Sequence, residues 1–367
     1  MARNSTDIPA DPSTPVRGLE PHFYTDPSVY AREKERIFFR TWQYACHQSD
    51  VQNPGDYVVF EVADQSLFVI KSGDGELRAF YNVCQHRGHE LLQGKGSRQL
   101  IACPYHAWTY ETDGTLKRAR GTDRVPGFDA SGICLSSVRL EVFCGFIFVN
   151  LDDQAASMGD WFGGAAQDLQ TFVPDIDNYQ PIWTHHVDEA CNWKIAVENY
   201  NECYHCKVVH PAFTRGVIDP ESIEIGPDAY TIRHSARAVP SPNATYDFGD
   251  DDSYRVIYLW PSIAIQVYPG RVVNTYWWRT QGVVSTRTYR GWLTLRGIND
   301  ENTLRIAEID RKTTFAEDLP VLSSVQRGMS SRGYRPGPLV INPLGGANNE
   351  SSVHAIHQWV RNALNRD

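Results

Sequence analysis

The chain has 367 residues, of which 12% are aromatic, and a formal net charge of −9 at pH 7. A chain of this length buries a large core and commonly forms two domains. The acidic balance argues against a nucleic-acid-binding protein, which needs clustered Lys and Arg. The longest strongly apolar run, near residues 142–151, is too short to cross a bilayer. We therefore expect a globular protein without nucleic-acid or membrane partners.

The compartment is inferred from the first residues and from the cysteines. The opening MARNSTDIPADPST lacks the apolar core of a signal peptide. Eight cysteines in so large a chain do not reach the density of a disulfide-stabilised secreted domain. We expect a cytoplasmic protein in which six cysteines are free, mostly buried thiols: Cys46, Cys134, Cys144, Cys191, Cys203 and Cys206.

The hydrophobic pattern divides the chain into three segments and predicts an α+β protein. In residues 1–44, the polar stretch 1–20 should be loosely ordered, and helical apolar spacing at 21–42 should pack on the C-terminal domain. Residues 45–152 contain short β segments separated by Gly and Asp turns, which predicts a small all-β domain. Residues 153–367 mix strands and helices, which predicts an α+β domain built on an antiparallel sheet.

The C-terminal segment can be divided further by the period of its apolar residues. We predict helices at 193–208, 301–329 and 351–364, and strands at 183–189, 230–237, 254–268, 271–280 and 288–297.

The strongest chemical signal is a pair of short motifs in the all-β segment. Cys84-x-His86 and Cys103-x-x-His106 place two thiols and two imidazoles in two loops. Two cysteines can bind one iron of a [2Fe–2S] cluster and two histidines the other, which raises its potential above that of an all-cysteine cluster. A structural zinc site uses the same residue types. Zinc fingers usually keep both cysteines in one turn, whereas these motifs alternate, so we predict the cluster.

A second metal site is predicted in the segment NWKIAVENYNECYHCKVVHP. Glu202 and His205 are three residues apart and share a helix face. His205 and His210 are five apart, so they converge only if the helix ends or distorts between them, and Pro211 provides that break. Two imidazoles and one carboxylate on one face of an iron form the facial triad of non-haem Fe(II) oxygenases.

The third ligand should be a distant Asp or Glu on a helix. We choose Asp318 in FAEDLPVLSSVQRG, with Glu317 as the runner-up. A carboxylate near a helix end often only balances the helix dipole, and a His pair beside a proline is often structural. Cys203, Cys206 and His210 also match part of a thiolate zinc site, although no fourth ligand is obvious. A cluster in the same chain favours iron, because its electrons need a terminal acceptor.

Four segments resemble the oxygenase α subunits of Rieske non-haem iron oxygenases, and the resemblance covers nearly the whole chain. They are FYNVCQHRGHELL, CPYHAWTY, ENYNECYHCKVVHP and EDLPVLSSVQRGMSSRGYR. Within that family, the chain is most similar to the oxygenases of quaternary ammonium compounds, of the carnitine monooxygenase type. These enzymes have a glutamate at the position of Glu202, where ring-hydroxylating dioxygenases usually have an aspartate.

The resemblance implies a role for each residue of the two motifs. It implies that the [2Fe–2S] cluster is bound by Cys84, His86, Cys103 and His106. It implies that Fe(II) is bound by His205, His210 and Asp318. Glu202 would be catalytic, as a bridge between the cluster of one subunit and the iron of its neighbour in a head-to-tail homotrimer. A carboxylate that accepts a histidine N–H orients the ring and couples proton and electron movement.

The expected activity is that of a monooxygenase that uses O2. It would hydroxylate a quaternary ammonium compound of the carnitine, γ-butyrobetaine or betaine type and lead to C–N cleavage or N-demethylation. No GxGxxG fingerprint occurs, so the NAD(P)H chemistry would belong to a separate flavin or ferredoxin-type reductase. The alternatives are an aromatic ring hydroxylase with the same metals and an electron carrier without oxygenase activity.

A trimethylammonium group has no hydrogen-bond donor, so a protein binds it with aromatic faces that contribute about 0.5–2 kcal/mol each. Candidate rings occur on the strands expected to line the iron site, and strand alternation lets only about half of them face inward. They are Tyr258, Trp260, Tyr268, Tyr276, Trp277 and Trp278.

Overall fold

The computed structural model describes residues 15–240 and 244–365. Backbone contacts divide the chain into two compact units. The β unit is Phe38–Ser157, and the α+β unit combines residues 15–37 with residues 158–365. In the part of the chain described, no helix is long and apolar enough to cross a bilayer.

Antiparallel strands form the framework of the β unit. One sheet has the order β1-β10-β9-β4-β3-β2-β5, and a small second sheet has the order β6-β7-β8. The strands are β1 (Gln43–His47), β2 (Asp56–Val62), β3 (Gln65–Lys71), β4 (Leu77–Tyr81), β5 (Lys95–Ser97), β6 (Ile101–Ala102), β7 (Thr109–Tyr110), β8 (Leu116–Arg118), β9 (Ser137–Phe143) and β10 (Phe146–Asn150).

The core of the β unit includes the cysteines of the two motifs. Phe68 from β3 and Phe80 from β4 pack in it, and Cys84 and Cys103 belong to the same buried cluster. Cys84 follows β4, and Cys103 follows β6 directly. The apolar core therefore encloses the sulfur atoms, while the loops that carry them reach the surface.

A single antiparallel sheet organises the α+β unit, in the order β11-β17-β16-β15-β14-β13-β12. Its strands are β11 (Tyr179–Glu189), β12 (Glu224–Asp228), β13 (Thr231–Arg237), β14 (Ser253–Leu259), β15 (Ile263–Tyr268), β16 (Val272–Gly282) and β17 (Ser285–Leu295).

Helices from the two ends and the middle of the chain accompany this sheet. Of these, α5 contacts β16 and α8 contacts β17. The helices are α1 (His22–Thr25), α2 (Pro27–Glu33), α3 (Met158–Phe162), α4 (Ala165–Phe172), α5 (Trp193–Tyr200), α6 (Cys206–Val209), α7 (Pro211–Gly216), α8 (Glu301–Lys312), α9 (Thr314–Met329) and α10 (Ser351–Leu364).

Three predicted elements are interrupted in the structure. The helix predicted over 193–208 ends at Tyr200, and the helix predicted over 301–329 is two helices separated at Thr313, whose backbone is not helical. The strand predicted over 254–268 is two strands, β14 and β15, joined by a turn. Apolar spacing continues through all three breaks, so periodicity alone does not reveal them.

The segment limits at residues 44 and 152 rest on composition and stay predictions. The loose order predicted for 1–20 concerns mostly residues outside the described part of the chain.

Arg290 on β17 is the most completely buried cation of the sheet, with no exposed surface. Its Nε and Nη2 donate to the carboxylate of Asp310 on α8 at 2.9 and 2.8 Å. Its Nη1 donates to Oε1 of Gln266 at 2.6 Å, and Nη2 also donates to the hydroxyl of Tyr268 at 3.1 Å. The guanidinium lies 3.8 Å from the ring centre of Tyr276. One cation thus joins three strands to a helix.

The N-terminal helices are held by a second buried pair. Nζ of Lys194 lies 2.5 Å from Oε1 of Glu33, and neither side chain is exposed. Oε2 of Glu33 accepts from the indole of Trp193 at 2.9 Å. Residues near the start of the described chain are therefore part of the core that forms around α5.

We predict that Asp310→Asn destabilises the α+β unit because it leaves Arg290 buried without a counter-ion. Breaking a buried pair in this way costs about 3–5 kcal/mol. The matched control is Glu308→Gln on the same helix, since Glu308 pairs with Arg311 at the surface. Exposed pairs contribute little, so the control should leave the midpoint of urea unfolding nearly unchanged. Equal midpoints for the two variants would contradict the prediction.

Candidate metal centres and the adjoining cavity

His205 and His210 flank one short helix because the chain bends twice in this segment. The preceding helix α5 ends at Tyr200, and the next helix, α6, has only four residues. His205 lies at the N-terminal end of α6, and His210 lies at its C-terminal end. Pro211 then begins α7, so the break predicted at this proline is present.

Three side-chain atoms converge at this bend. The Nε2 atoms of His205 and His210 are 3.1 Å apart. Oδ1 of Asp318, on α9, lies 3.1 Å from Nε2 of His210 and 3.8 Å from Nε2 of His205. A metal bonded to two neighbouring ligands at about 2.1 Å separates them by about 3.0 Å. The spacing of the three atoms therefore matches one face of a metal coordination sphere.

The outer nitrogens of both imidazoles face carboxylates. Nδ1 of His205 lies 2.5 Å from Oε1 of Glu202, and Nδ1 of His210 lies 2.8 Å from Oε2 of Glu317. A carboxylate accepts, so each Nδ1 carries the proton and each neutral ring turns the lone pair of Nε2 inward. Two lone pairs and the carboxylate of Asp318 then face one another, an arrangement that a cation stabilises.

Two further observations fit a cation at this point. Oδ1 of Asp318 is buried and has no hydrogen-bond partner in the described structure. Burial lowers the pKa of His210, whereas the carboxylates of Asp318 and Glu317 raise it, and the net shift is upward. Among the described residues, His205, His210 and Asp318 are the one group of three potential ligands that meet so closely. The runner-up Glu317 is outside this group and instead holds His210 from behind.

Two analogous loops in the β unit carry the other four predicted ligands. In the first, the N–H of Gly88 donates to the carbonyl of Cys84 at 3.0 Å, and in the second, the N–H of Ala107 donates to that of Cys103 at 3.0 Å. Both cysteines are buried. The hydroxyl of Tyr110 lies 3.3 Å from Sγ of Cys84, where it can donate to a thiolate.

The imidazoles of these loops lie side by side. The ring centres of His86 and His106 are 4.7 Å apart. His86 stacks on Trp108 at 4.7 Å, and His106 lies against Tyr105 at 3.7 Å. His86 and Tyr105 are exposed, so the imidazole side of the site faces the surface of the unit.

This set of four does not have the geometry of a single-metal site. A tetrahedral zinc with bonds of about 2.0–2.3 Å would hold all four ligand atoms within about 4 Å of one another. No three of them gather that closely in the described structure. Buried sulfurs and outer imidazoles fit a two-iron cluster, in which the two pairs bind different metals.

A cavity of about 60 Å³ adjoins the triad. Its aromatic lining consists of Tyr200, Phe213, Tyr254, Tyr268 and Tyr276.

Two of the six aromatic residues predicted to bind the trimethylammonium group, Tyr268 and Tyr276, line this cavity, whereas the other four do not. Trp278 packs behind the wall, with its ring centre 5.0 Å from that of Tyr200. Sequence reasoning missed Tyr200, Phe213 and Tyr254. Tyr200 could have been predicted to lie near the metal site, because it is only two residues before Glu202 in the sequence.

The thiols of Cys203 and Cys206 form a disulfide, so the prediction that both are free is wrong. Their Cα atoms are 4.9 Å apart because the turn after α5 brings residues three apart to the same side. Cys134 is exposed, and the remaining free cysteines are buried.

Comparison with known proteins agrees with this arrangement. Residues 176–366 match the ring hydroxylating alpha subunit (catalytic domain) family, and residues 41–129 match the Rieske [2Fe-2S] domain. The carnitine monooxygenase oxygenase subunit of Escherichia coli K12 is 33% identical over 91% of this chain and 90% of its own.

Two solved structures extend the likeness to the fold. A quaternary ammonium Rieske monooxygenase has a TM-score of 0.91 and 29% identity, with 99% of both chains covered. A quaternary ammonium Rieske monooxygenase in complex with the substrate L-carnitine has a TM-score of 0.88 and 29% identity, again over 99% of both chains. The predicted fold class, enzyme class and cofactors are thereby confirmed.

The chain therefore belongs to the Rieske oxygenases with a ring-hydroxylating α-subunit catalytic domain, and it is an iron-dependent monooxygenase subunit with a [2Fe–2S] cluster and a mononuclear iron.

Proposed function

We propose that this subunit oxidises a quaternary ammonium compound of the carnitine, γ-butyrobetaine or betaine type, which leads to C–N cleavage or N-demethylation. The observation that carries the proposal is the convergence of His205, His210 and Asp318 beside a cavity walled by aromatic rings. The named activities of the relatives agree with it.

In this proposal His205, His210 and Asp318 would hold the mononuclear iron, which would supply O2 activation. Glu202 and Glu317 hold the two imidazoles in the tautomer that leaves Nε2 free. The cluster would be held in the two loops of the β unit by Cys84, His86, Cys103 and His106.

The aromatic cavity accounts for the substrate class. A trimethylammonium group cannot donate a hydrogen bond, and aromatic faces attract it by about 0.5–2 kcal/mol each once water is excluded. Tyr268 and Tyr276 already have the Arg290 guanidinium over their rings, at 5.8 and 3.8 Å. A substrate cation would meet the remaining aromatic surface, to which Tyr200, Phe213 and Tyr254 contribute.

Glu202 has a second role in the proposal. It would connect the iron site of one subunit to the cluster of a neighbouring subunit and so assist electron transfer between them. A similar quaternary ammonium Rieske monooxygenase of known structure is described as transferring electrons between subunits. This role implies a homotrimer, and a separate flavin or ferredoxin-type reductase would supply electrons from NAD(P)H. We place the system in the cytoplasm because most of its cysteines are free thiols.

The ligand assignment predicts that Asp318→Ala lowers the affinity for mononuclear iron at least about tenfold and abolishes turnover. The visible spectrum of the cluster should persist, because its ligands belong to the other unit. The adjacent Glu317→Gln is the matched control and should retain iron, since its amide oxygen can still accept from the outer nitrogen of His210. If iron analysis instead shows that the Glu317 variant loses iron and Asp318→Ala retains it, the metal ligand is Glu317.

The bridging role predicts a specific defect in Glu202→Gln. The amide oxygen can still accept from His205, so both metals should remain bound. Oxidation of the reduced cluster in a single turnover should slow at least about tenfold, because the charge that couples proton and electron is lost. Glu198→Gln, one turn earlier, is the control, because Glu198 bonds to Tyr24 and His357 instead. Unchanged transfer in Glu202→Gln would refute the bridge.

The substrate class predicts which compounds stimulate NADH-dependent O2 consumption when a reductase is supplied. Carnitine, γ-butyrobetaine or glycine betaine should do so, and their uncharged tert-butyl analogues should not, because cation–π attraction needs the charge. Turnover of an aromatic ring such as benzoate, with no response to any quaternary amine, would favour the ring-hydroxylase alternative.

A further inference from the structure

The sheet of the α+β unit presents a short polar row to the cavity. His234 on β13, Val256 on β14 and Gln266 on β15 are direct cross-strand neighbours. Tyr254 lies two residues before Val256 and therefore points to the same face of the sheet. His234, Gln266 and Tyr254 all line the cavity beside the triad.

Arg290 fixes the orientation of the Gln266 amide. A guanidinium has only donors, so the atom of Gln266 that lies 2.6 Å from Nη1 must be the amide oxygen. The Nε2 group of Gln266 then faces the other way and donates to the hydroxyl oxygen of Tyr254 at 3.1 Å. The position of Arg290 thus determines that Gln266 is the donor, and Tyr254 the acceptor, in the hydrogen bond between them.

The hydroxyl of Tyr254 consequently has a proton to donate. Its oxygen accepts from Gln266, and the described residues show no acceptor for its own O–H. Burial raises the pKa of Tyr254 far above its usual value, so the hydroxyl stays protonated. The neighbouring Tyr268 differs, because its hydroxyl accepts from Arg290 and donates to Asp310 at 3.1 Å. Of these two wall tyrosines, only Tyr254 offers a donor to the cavity.

His234 supplies a second uncommitted polar group. The residue is 5% exposed, and its buried Nε2 has no hydrogen-bond partner in the described structure. Burial lowers the pKa of His234 to about 3, so the ring is neutral and carries one N–H. A neutral ring that donates hydrogen bonds does not repel the ammonium group of a substrate.

We propose that the Tyr254 hydroxyl and the His234 imidazole bind the carboxylate tail of the substrate. The assignment rests on the proposed function and adds to it which residues receive the carboxylate of the substrate. Among the described residues, the lining contains neither Lys nor Arg. A buried carboxylate must therefore be met by neutral donors, with its charge balanced by the ammonium group of the same molecule. Hydrogen bonds to an ionised acceptor are the stronger kind.

In this assignment Arg290 and Gln266 are positioning residues that act through Tyr254. Gln266→Glu tests this relay. A carboxylate at position 266 would accept from Arg290 and also from the Tyr254 hydroxyl, which would remove the donor without removing the hydroxyl. This variant should therefore behave as Tyr254→Phe does, although the cavity keeps its shape.

The experiment measures dissociation constants by calorimetry on the iron-loaded holoenzyme, without O2 or reductase. The two ligands are γ-butyrobetaine and 4-methylpentyl-trimethylammonium, in which methyl groups replace the carboxylate oxygens. Tyr254→Phe should weaken γ-butyrobetaine by about ten- to a hundredfold and leave the apolar analogue nearly unchanged, because a hydrogen bond to a charged group is lost. Tyr258→Phe is the matched control, since its hydroxyl bonds to the carbonyl of Pro261.

The outcomes distinguish failure of the carboxylate assignment from failure of the proposed substrate class. If γ-butyrobetaine binds and Tyr254→Phe weakens both ligands equally or neither, the carboxylate assignment is overturned and the substrate class stands. If wild type binds no quaternary ammonium compound, the substrate class fails and the assignment falls with it. Selective loss of γ-butyrobetaine in both Tyr254→Phe and Gln266→Glu, but not in Tyr258→Phe, supports the relay.

Discussion

The charge of Arg290 is the constraint on which the α+β unit depends, because a guanidinium without solvent must be fully paired. Its bonds to Asp310 hold α8 against the sheet, and α9, which carries Asp318, begins two residues after α8 ends. Its bonds to Gln266 and Tyr268 fix the wall of the cavity from behind. A single requirement for charge pairing therefore sets both the position of Asp318, the proposed metal ligand, and the shape of the adjacent pocket.

His205, His210 and Asp318 direct lone pairs and negative charge toward one point, an arrangement that a cation stabilises. Glu202 and Glu317 hold protons on the outer side of the two imidazoles and so direct lone pairs inward. The carboxylate of Asp318 adds negative charge at the same point. In the proposed function, this local excess of negative charge would also lessen the repulsion between a divalent iron and the ammonium group of the substrate, since both are positive.

The sequence was sufficient to predict a feature where a short motif or an uninterrupted hydrophobic period defines that feature. The fold class and the cofactors are confirmed, and the predicted helix 351–364 has the same bounds as α10. The end of α5 at Tyr200 was missed because apolar and polar residues continue in helical order beyond it. The row of His234 and Gln266 was missed because it depends on strand register, which pairs residues that are distant in sequence.

The α+β unit is discontinuous in sequence, and this has a consequence for its synthesis. Tyr24 and Glu33 leave the ribosome early, but their partners Glu198, Lys194 and His357 follow much later. The β unit is a single continuous segment that is complete once β10 has been made. Because domains fold as their residues emerge, the β unit can fold before α10, which packs with the N-terminal helices, has been synthesised. Cys84 and Cys103 can therefore be enclosed in a finished core before α10 has been synthesised.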